Sequence, residues 1–520
     1  MNDTPQRNRY VVAADIGTTS TKALVIGLDG RVVASRSVEY PLYTPTPDRA
    51  EQDPDEIFAA VVKAIGEAVG QAGVSARDVL CVSFSSAMHS VIAVDRDGKP
   101  LTRCITWADN RSESCLDELK REHNGLGIYR NTGTPLHPMS PLLKLMWMNR
   151  NEPELVKRTY KFVGIKEYVF AKWFGRYAVD HSIASATGLF NLRSLDWDEE
   201  ALRVAGVSRG QLSEPVPTTY VLKGLLSGYA ERMGLAPDTP FVVGAADGVL
   251  ANLGVGAFDP GVYAITIGTS GAVRGTVREP ITDPQGRLFC YALKEDFWVI
   301  GGPINNGGIM FRWVRDQLAT LEAEEARRRG MDPYDYLTEL AASVRPGSDG
   351  LIFLPLLAGE RAPHWNANAR GCFFGLTLFH EKKHMIRAVL EGVAYRIHSV
   401  VTALEELAGK ASEFRASGGF ARSAFWRQVM ADVLGAPVVV PDSVESSGLG
   451  AAVLGLLATG EVSDFSVMRE WARANVRHEP DETNHRTYER LTAIYNDVYD
   501  RLKEPFDAIA AYQKQRIGGG

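Results

Sequence analysis

Two carboxylates close apolar stretches of this chain, and both are placed to do chemistry. The first is Asp247, after Pro240-Phe241-Val242-Val243-Gly244-Ala245-Ala246 and before Gly248. A carboxylate at the end of a buried strand can face a cleft. Phosphoryl transfer to an alcohol needs such a group to orient the hydroxyl and take its proton. The competing reading is a helix N-cap, because Gly248 to Leu253 can be helical; one residue can serve both. The second is Asp15, at the end of Val11-Val12-Ala13-Ala14-Asp15-Ile16, followed by Gly17-Thr18-Thr19-Ser20. Gly17 admits a close backbone approach, and the three hydroxyl residues add donors. That turn can hold a phosphate, and Asp15 the Mg²⁺ that travels with it. The plainer reading is a hairpin with a polar turn.

Two further Gly turns follow apolar strands: Gly268-Thr269-Ser270-Gly271 and Gly418-Gly419. Three such turns suit a nucleotide, with two on phosphates and the third leaving room for base or ribose. No GxxxxGK[ST] is present, so this is not a P-loop protein. Met88-His89-Ser90 and Trp107-Ala108-Asp109-Asn110-Arg111 end two nearby strands. A Trp face, an imidazole and a carboxylate are what a polyol needs; equally, Trp107 can be core and Asp109 a turn residue. His380-Glu381-Lys382-Lys383-His384 fits the zinc-protease pattern H-E-x-x-H, and Glu405 lies downstream as a tempting third ligand. The apolar stripe Ile386, Val389, Leu390 and Val393 puts both histidines on the opposite, solvated face. Two lysines between them oppose a cation, so no zinc site is expected.

The elements that must position these groups can be read in order. Val11 to Ala34 is a β-meander with an Asp29-Gly30 hairpin turn. Asp53-Pro54 caps and starts a helix with Ile57, Val61, Ile65 and Val69 on one face. Val79 to Phe84 is a buried strand, and Val91 to Val94 with Asp97-Gly98 forms a hairpin. Leu142 to Asn149 and Lys166 to Trp173 are helical, within an irregular stretch from 112 to 235. Ile265 to Val273 repeats the opening pattern about 250 residues on, without its Asp, which points to two halves of related architecture. Met385 to Leu407 is a long helix, and Gly448 to Ala458 is a small-residue helix able to pack closely on a neighbour. Asn484 to Tyr512 is expected as a surface helix, and Gly518-Gly519-Gly520 as a frayed end.

Composition narrows the class. The 520 residues are too many for one ordinary core. The net charge of −6 gives no basic face for nucleic acid. Five cysteines without CxxC spacing fit reduced thiols and a cytoplasmic home. Met1 to Tyr10 has no apolar signal core, and no run is long enough to span a membrane.

On these residues the chain resembles the FGGY carbohydrate kinases over nearly its whole length. Asp15 to Lys22 is similar to the family's first phosphate motif, Gly268 to Gly271 to the second, and Gly418 to Ser423 to the adenosine motif. Met88-His89-Ser90 with Ile105 to Arg111 most resembles the gluconokinase branch. Xylulokinases carry Gln-Met-His-Gly, where this chain has Ala87 and Ser90 at the flanks. The resemblance implies an α/β fold of two actin-like (ribonuclease-H-like) domains with an interdomain cleft. In chain order these are an N-terminal sugar-binding domain 9–246, a C-terminal ATP-binding domain 247–480, and a helix and tail 481–520. It implies that Asp247 is the general base and that Asp15 lies by Mg²⁺. Thr18, Thr19, Lys22, Gly268, Thr269 and Gly308 would approach the phosphates of ATP, with Gly419 and Ser423 by the adenosine. Met88, His89, Trp107 and Asp109 would bind the sugar, and Lys166 or Arg361 would meet a sugar-acid carboxylate. The expected reaction is D-gluconate to 6-phospho-D-gluconate, with another polyol (xylulose, ribulose, glycerol) or a non-kinase actin-like ATPase as alternatives. A small-molecule substrate and no nucleic acid or membrane partner are expected, with a homodimer left open.

Overall fold

The computed structural model describes residues 9–226, 228–442 and 445–517. Most of the N-terminal leader reading (residues 1–8) and the Gly518 to Gly520 end lie outside the described residues. By internal contacts the chain forms two units: Met1–Phe258 with Val277–Ile300 and Glu445–Ala472, and Asp259–Thr276 with Gly301–Val444 and Arg473–Gly520.

The first unit is built on a six-stranded sheet. From one edge its strands are Val221–Leu222, Phe241–Ala246, Val79–Ser86, Tyr10–Ile16, Ser20–Gly27 and Val32–Glu39. The last three are the expected antiparallel meander, with Asp15 opposite Lys22. Tyr10–Ile16 pairs in parallel with Val79–Ser86, which sets Asp15 beside Ser85. The helix Pro54–Ala72 covers this sheet. Asp53 accepts from the amides of Asp55 and Glu56, and Ile57, Val61, Ile65 and Val69 are buried.

The second unit repeats the plan. Val262–Ile267 pairs antiparallel with Gly271–Val277 and parallel with Glu413–Ser417. Glu413–Ser417 pairs in parallel with Val438–Pro441, which carries the antiparallel edge strand Ala474–His478. The first unit has the same succession: a hairpin, two parallel additions and an antiparallel edge. The echo seen in the sequence is therefore a repeated topology.

The units do not follow the chain-order division 9–246, 247–480 and 481–520, and packing explains why. The small-residue helix Ser446–Thr459 lies against Tyr10–Ile16, Val79–Ser86 and the helix Asp247–Gly254, all in the first unit. A Cβ on Gly254 would stand 1.7 Å from the Ser446 carbonyl oxygen, and one on Gly450 would stand 2.3 Å from that of Leu250. Only glycine allows two helices so close. The strand Phe289–Lys294 also belongs to the first unit: Cys290 N donates to Gly133 O at 2.9 Å, and Ala292 N to Ser185 Oγ at 3.0 Å.

The C-terminal helix is not a surface appendage. It is two helices, Glu482–Arg501 and Lys503–Ile517. Tyr488, Tyr495 and Tyr499 are buried along one side of the first. The Tyr395 ring of the long helix Lys382–Ala408 lies 6.0 Å from Tyr488 and 5.7 Å from Tyr495. The tyrosines recur at helical spacing, so one face of the segment is core of the second unit.

Candidate functional site

In the first unit, the strand Phe241–Ala246 delivers Asp247. It is buried throughout, and its pairing with Val79–Ser86 shifts register between Val242 and Ala245. Gly244 makes the shift at φ 68, where a Cβ would fall 1.7 Å from the Phe84 carbonyl oxygen. Asp247 is then the first residue of the helix Asp247–Gly254, and its Oδ1 accepts from Gly248 N at 2.6 Å. The N-cap reading is displaced by one residue, since Ala246 is the cap and Asp247 the first helical position, and Asp247 stays half-buried at the strand's end.

Beneath it sits an ion pair that sequence reasoning missed. Lys166 Nζ lies 2.6 Å from Asp180 Oδ2, and neither side chain is more than 3 % exposed. Lys166 also donates to Ala245 O at 3.4 Å. Burial lowers the Lys166 ammonium, while Asp180, Glu167 and Asp247 hold it up. Its positive charge therefore acts on Asp247. The expectation that Lys166 meets a substrate carboxylate is corrected: a buried ammonium held by Asp180 is not offered to a ligand. The short helix His181–Ser185 ties the region together. Asp180 caps it, and Ser182 Oγ accepts from Ala246 N at 3.2 Å. Its following carbonyl, Ala186 O, lies 2.7 Å from His89 Nδ1. A carbonyl only accepts, so Nδ1 carries the proton.

His89 has φ 66, a left-handed backbone at a non-glycine residue. Such a conformation costs on the order of 1 kcal/mol and is kept only where its surroundings fix it. Trp107 is half-buried, and its Nε1 donates to Thr18 Oγ1 at 2.9 Å. The structure thus joins the first Gly-Thr turn to the Trp107 segment. Met88 is half-buried beside His89.

Asp109 is a correction. It is fully buried, with Oδ1 accepting from Arg111 N and Nε at 3.2 and 2.8 Å. Its Oδ2 accepts from Ala50 N and Arg111 Nη2, both at 2.8 Å. Both oxygens hold protein, so the turn-residue reading is the one observed.

Asp15 Oδ1 accepts from Ser85 Oγ at 2.6 Å. Burial raises its carboxyl above the usual range, opposed by Ser85 and Lys22, while Glu445 adds to the rise. Lys22 Nζ donates to both Glu445 oxygens, at 3.2 and 3.1 Å. Thr19 is exposed. Carboxylates and hydroxyls grouped at one turn are the hard oxygen donors that Mg²⁺ takes.

In the second unit, Gly268, Thr269, Gly308, Gly419 and Ser423 line one cavity of about 420 Å³. The turn Gly268–Gly271 is clasped from behind: Gly308 N donates to Gly268 O at 2.7 Å and Ile309 N to Thr269 O at 3.1 Å. A Cβ on Gly268 would meet nothing within 4 Å, and one on Gly419 only Ile267 O at 3.9 Å. Both glycines leave space where a ligand could lie. Ser423 caps the helix Ala424–Leu434 through Trp426 N. Aromatic side chains, not singled out in the sequence, form one wall. Phe311 lies 5.6 Å from Tyr334 and 6.0 Å from Trp426, and Phe420 lies 6.0 Å from Trp426. The Trp426 indole N–H is buried and has no hydrogen-bond partner among the described residues. A flat, polar-edged ring with an anionic tail fits this set.

Arg361 lies in the second unit. Its Nε donates to Asn305 Oδ1 at 2.8 Å and its Nη2 to Ile304 O at 3.1 Å, so it braces the segment leading to Gly308. The H-E-x-x-H stretch also differs from its sequence reading. The helix starts at Lys382, so His380 precedes it, and His384 is buried rather than solvated. His384 Nδ1 accepts from Glu381 N at 3.0 Å, and Nε2 faces Asp349 at 3.3 Å. Both ring nitrogens hold protein.

Residues 10–254 match the N-terminal domain, and residues 263–459 the C-terminal domain, of the FGGY family of carbohydrate kinases. A gluconokinase of Bacillus subtilis (strain 168) is 51 % identical over 509 residues, 98 % of this chain and 99 % of that one. A solved ligand-bound xylulose kinase from Lactobacillus acidophilus superposes with TM-score 0.91 at 36 % identity, over 96 % of this chain and all of that one. A gluconate kinase from the same organism does so with TM-score 0.91 at 35 % identity, over the same shares.

Proposed function

Because the chain belongs to the FGGY family of carbohydrate kinases, we propose that it transfers the γ-phosphoryl group of ATP to D-gluconate, giving 6-phospho-D-gluconate. The observation that carries the substrate is the near-full-length likeness to the Bacillus subtilis gluconokinase. Backbone likeness does not choose, since a xylulose kinase and a gluconate kinase superpose equally well. The flanks of the His89 segment, Ala87 and Ser90, point the same way.

In this reading Asp247 orients the acceptor hydroxyl and takes its proton as the bond to phosphorus forms. Its half-buried place beside the Lys166 charge supports that role. Met88, His89 and Trp107 bind the sugar chain. Asp109 shapes the segment without touching substrate, and Lys166, held by Asp180, does not carry the carboxylate. Thr18, Thr19 and Lys22 in the first unit and Gly268, Thr269 and Gly308 in the second serve the phosphates. Gly419, Ser423 and the aromatic wall serve the adenosine. Asp15 would hold Mg²⁺, which neutralises phosphate charge when bound. A cytoplasmic setting is supported by five free cysteines; among the described residues no helix is long and apolar enough to cross a membrane.

A panel of gluconate, xylulose, ribulose and glycerol with coupled ADP detection tests the assignment. Gluconate should give the highest kcat/KM. Faster turnover of xylulose would overturn the substrate, and ATP hydrolysis with no sugar phosphate would favour an actin-like ATPase.

A further inference from the structure

The helix Pro141–Asn151 carries one lysine, and it points inward: Lys144 is fully buried among Leu142, Leu143 and Leu145. Its Nζ donates to three carbonyl oxygens, His89 O at 2.6 Å, Thr106 O at 2.7 Å and Met139 O at 2.9 Å. An ammonium has three N–H donors, so its whole capacity is used. Two of the acceptors lie in the segments that carry the His89 ring and Trp107.

We propose that Lys144 is a positioning residue for the sugar acid: its ammonium fixes the backbone of His89 and Thr106, and through them the imidazole and the indole. This rests on the reading that His89 and Trp107 bind the sugar. The left-handed His89 is pinned at its carbonyl by Lys144 and at its ring by Ala186. Trp107 is pinned at its preceding carbonyl by Lys144 and at its indole by Thr18. No apolar side chain replaces this clamp, because all three carbonyls would lose the ammonium, with Thr106 O left only Asp109 N at 3.2 Å. A neutral amine has two N–H groups for three acceptors, so the clamp is complete only when charged.

The surrounding charges make that condition matter near neutrality. Burial pulls the Lys144 ammonium down to about 7, while Asp109 and Cys104 hold it up and Arg111 opposes it. Arg111 is itself paired with Asp109 and Glu51. The other titratable groups at hand are the His89 imidazole and His137, whose Nδ1 accepts from Met139 N. The clamp is charged below that range and loses its third donor above it, so gluconate affinity falls as pH rises.

The test uses the intact enzyme. KM for gluconate and for ATP is measured from about pH 6 to about pH 9, for the wild type, Lys144→Met and Trp107→Ala. In the wild type, gluconate KM should climb above pH 7 towards about tenfold per pH unit, as one required proton dictates, with ATP KM nearly level. At low pH Lys144→Met should raise gluconate KM by about tenfold or more, lose the pH slope and keep ATP KM within about twofold. A level gluconate KM in the wild type overturns the proposal. So does a Lys144→Met enzyme with wild-type KM and slope, provided Trp107→Ala still weakens gluconate. If Trp107→Ala leaves gluconate KM unchanged, the sugar site itself is misassigned. If Lys144→Met does not fold, calorimetry of gluconate binding to the wild type at about pH 8, in buffers of different ionisation heat, decides. Uptake of close to one proton supports the clamp, and no uptake overturns it.

Discussion

Asp247 and Asp109 are carboxylates at the ends of buried segments, and their neighbours give them different work. Asp109 spends both oxygens on Ala50 and Arg111. Asp247 is half-buried at the first position of a helix, close enough to Lys166 for the two charges to interact. The substitution to Asn should therefore act oppositely at the two positions. Asp247→Asn should lower kcat by about a hundredfold or more with little change in melting temperature, because a general base is lost and the fold is not. Asp109→Asn should mainly cost stability, on the order of 2 kcal/mol, because buried Arg111 loses one of its two carboxylates and keeps only Glu51. Denaturant melts and initial rates on both variants decide. An Asp247→Asn enzyme with near-normal turnover would remove that residue from the chemistry.

Elements built on local signals were legible in the sequence, and those built on distant partners were not. The meander, the Asp53-Pro54 helix start and the turns at Gly268 and Gly418 carry their instructions within a few residues. The Lys144 clamp and the membership of Ser446–Thr459 in the first unit join segments far apart in the chain, and the Lys166–Asp180 pair joins two successive elements; no local pattern announces any of them. The helix Ile165–Phe174 shows both kinds. Glu167 Oε1 accepts from Gly164 N at 2.7 Å, a local cap, while its other oxygen takes a hydroxyl from the distant Ser213. Burial pushes the Glu167 carboxyl from 4.5 up to about 7, against both hydrogen bonds. A raised folded value means that the folded chain keeps a proton the unfolded chain gives up. The acid form's contribution is whole below the unfolded value and is lost as pH rises through about 7. Gln mimics the acid form, so Glu167→Gln should gain stability over the wild type as pH rises from about 5 to about 8. The gain should reach on the order of 2 kcal/mol, and melts across that range measure it. A difference that shrinks with rising pH would mean that the ionised form is the favoured one.

At the scale of the whole molecule, one topology occurs twice and its two copies are furnished differently. The first copy carries Asp15, Trp107 and Asp247; the second carries the open glycines and the wall of Phe311, Tyr334, Phe420 and Trp426. A repeated strand plan explains why both have a Gly turn after their first strand. It does not explain the furnishing, which came from side chains added around each turn. If the division is functional, ligand affinities should separate by unit. Stacking of a base on an aromatic ring contributes about 1–3 kcal/mol, and the Trp426 indole N–H offers a donor that no described residue uses. Trp426→Ala should therefore weaken ATP by about tenfold or more and leave gluconate affinity near that of the wild type. Trp107→Ala should do the reverse, since its ring lies in the other unit and its N–H is engaged by Thr18. Separate calorimetric titrations of each ligand into each intact variant make the comparison. Equal loss of both ligands in either variant would mean that the ring supports the fold rather than one ligand. Loss of gluconate alone in Trp426→Ala would exchange the assignments of the two units.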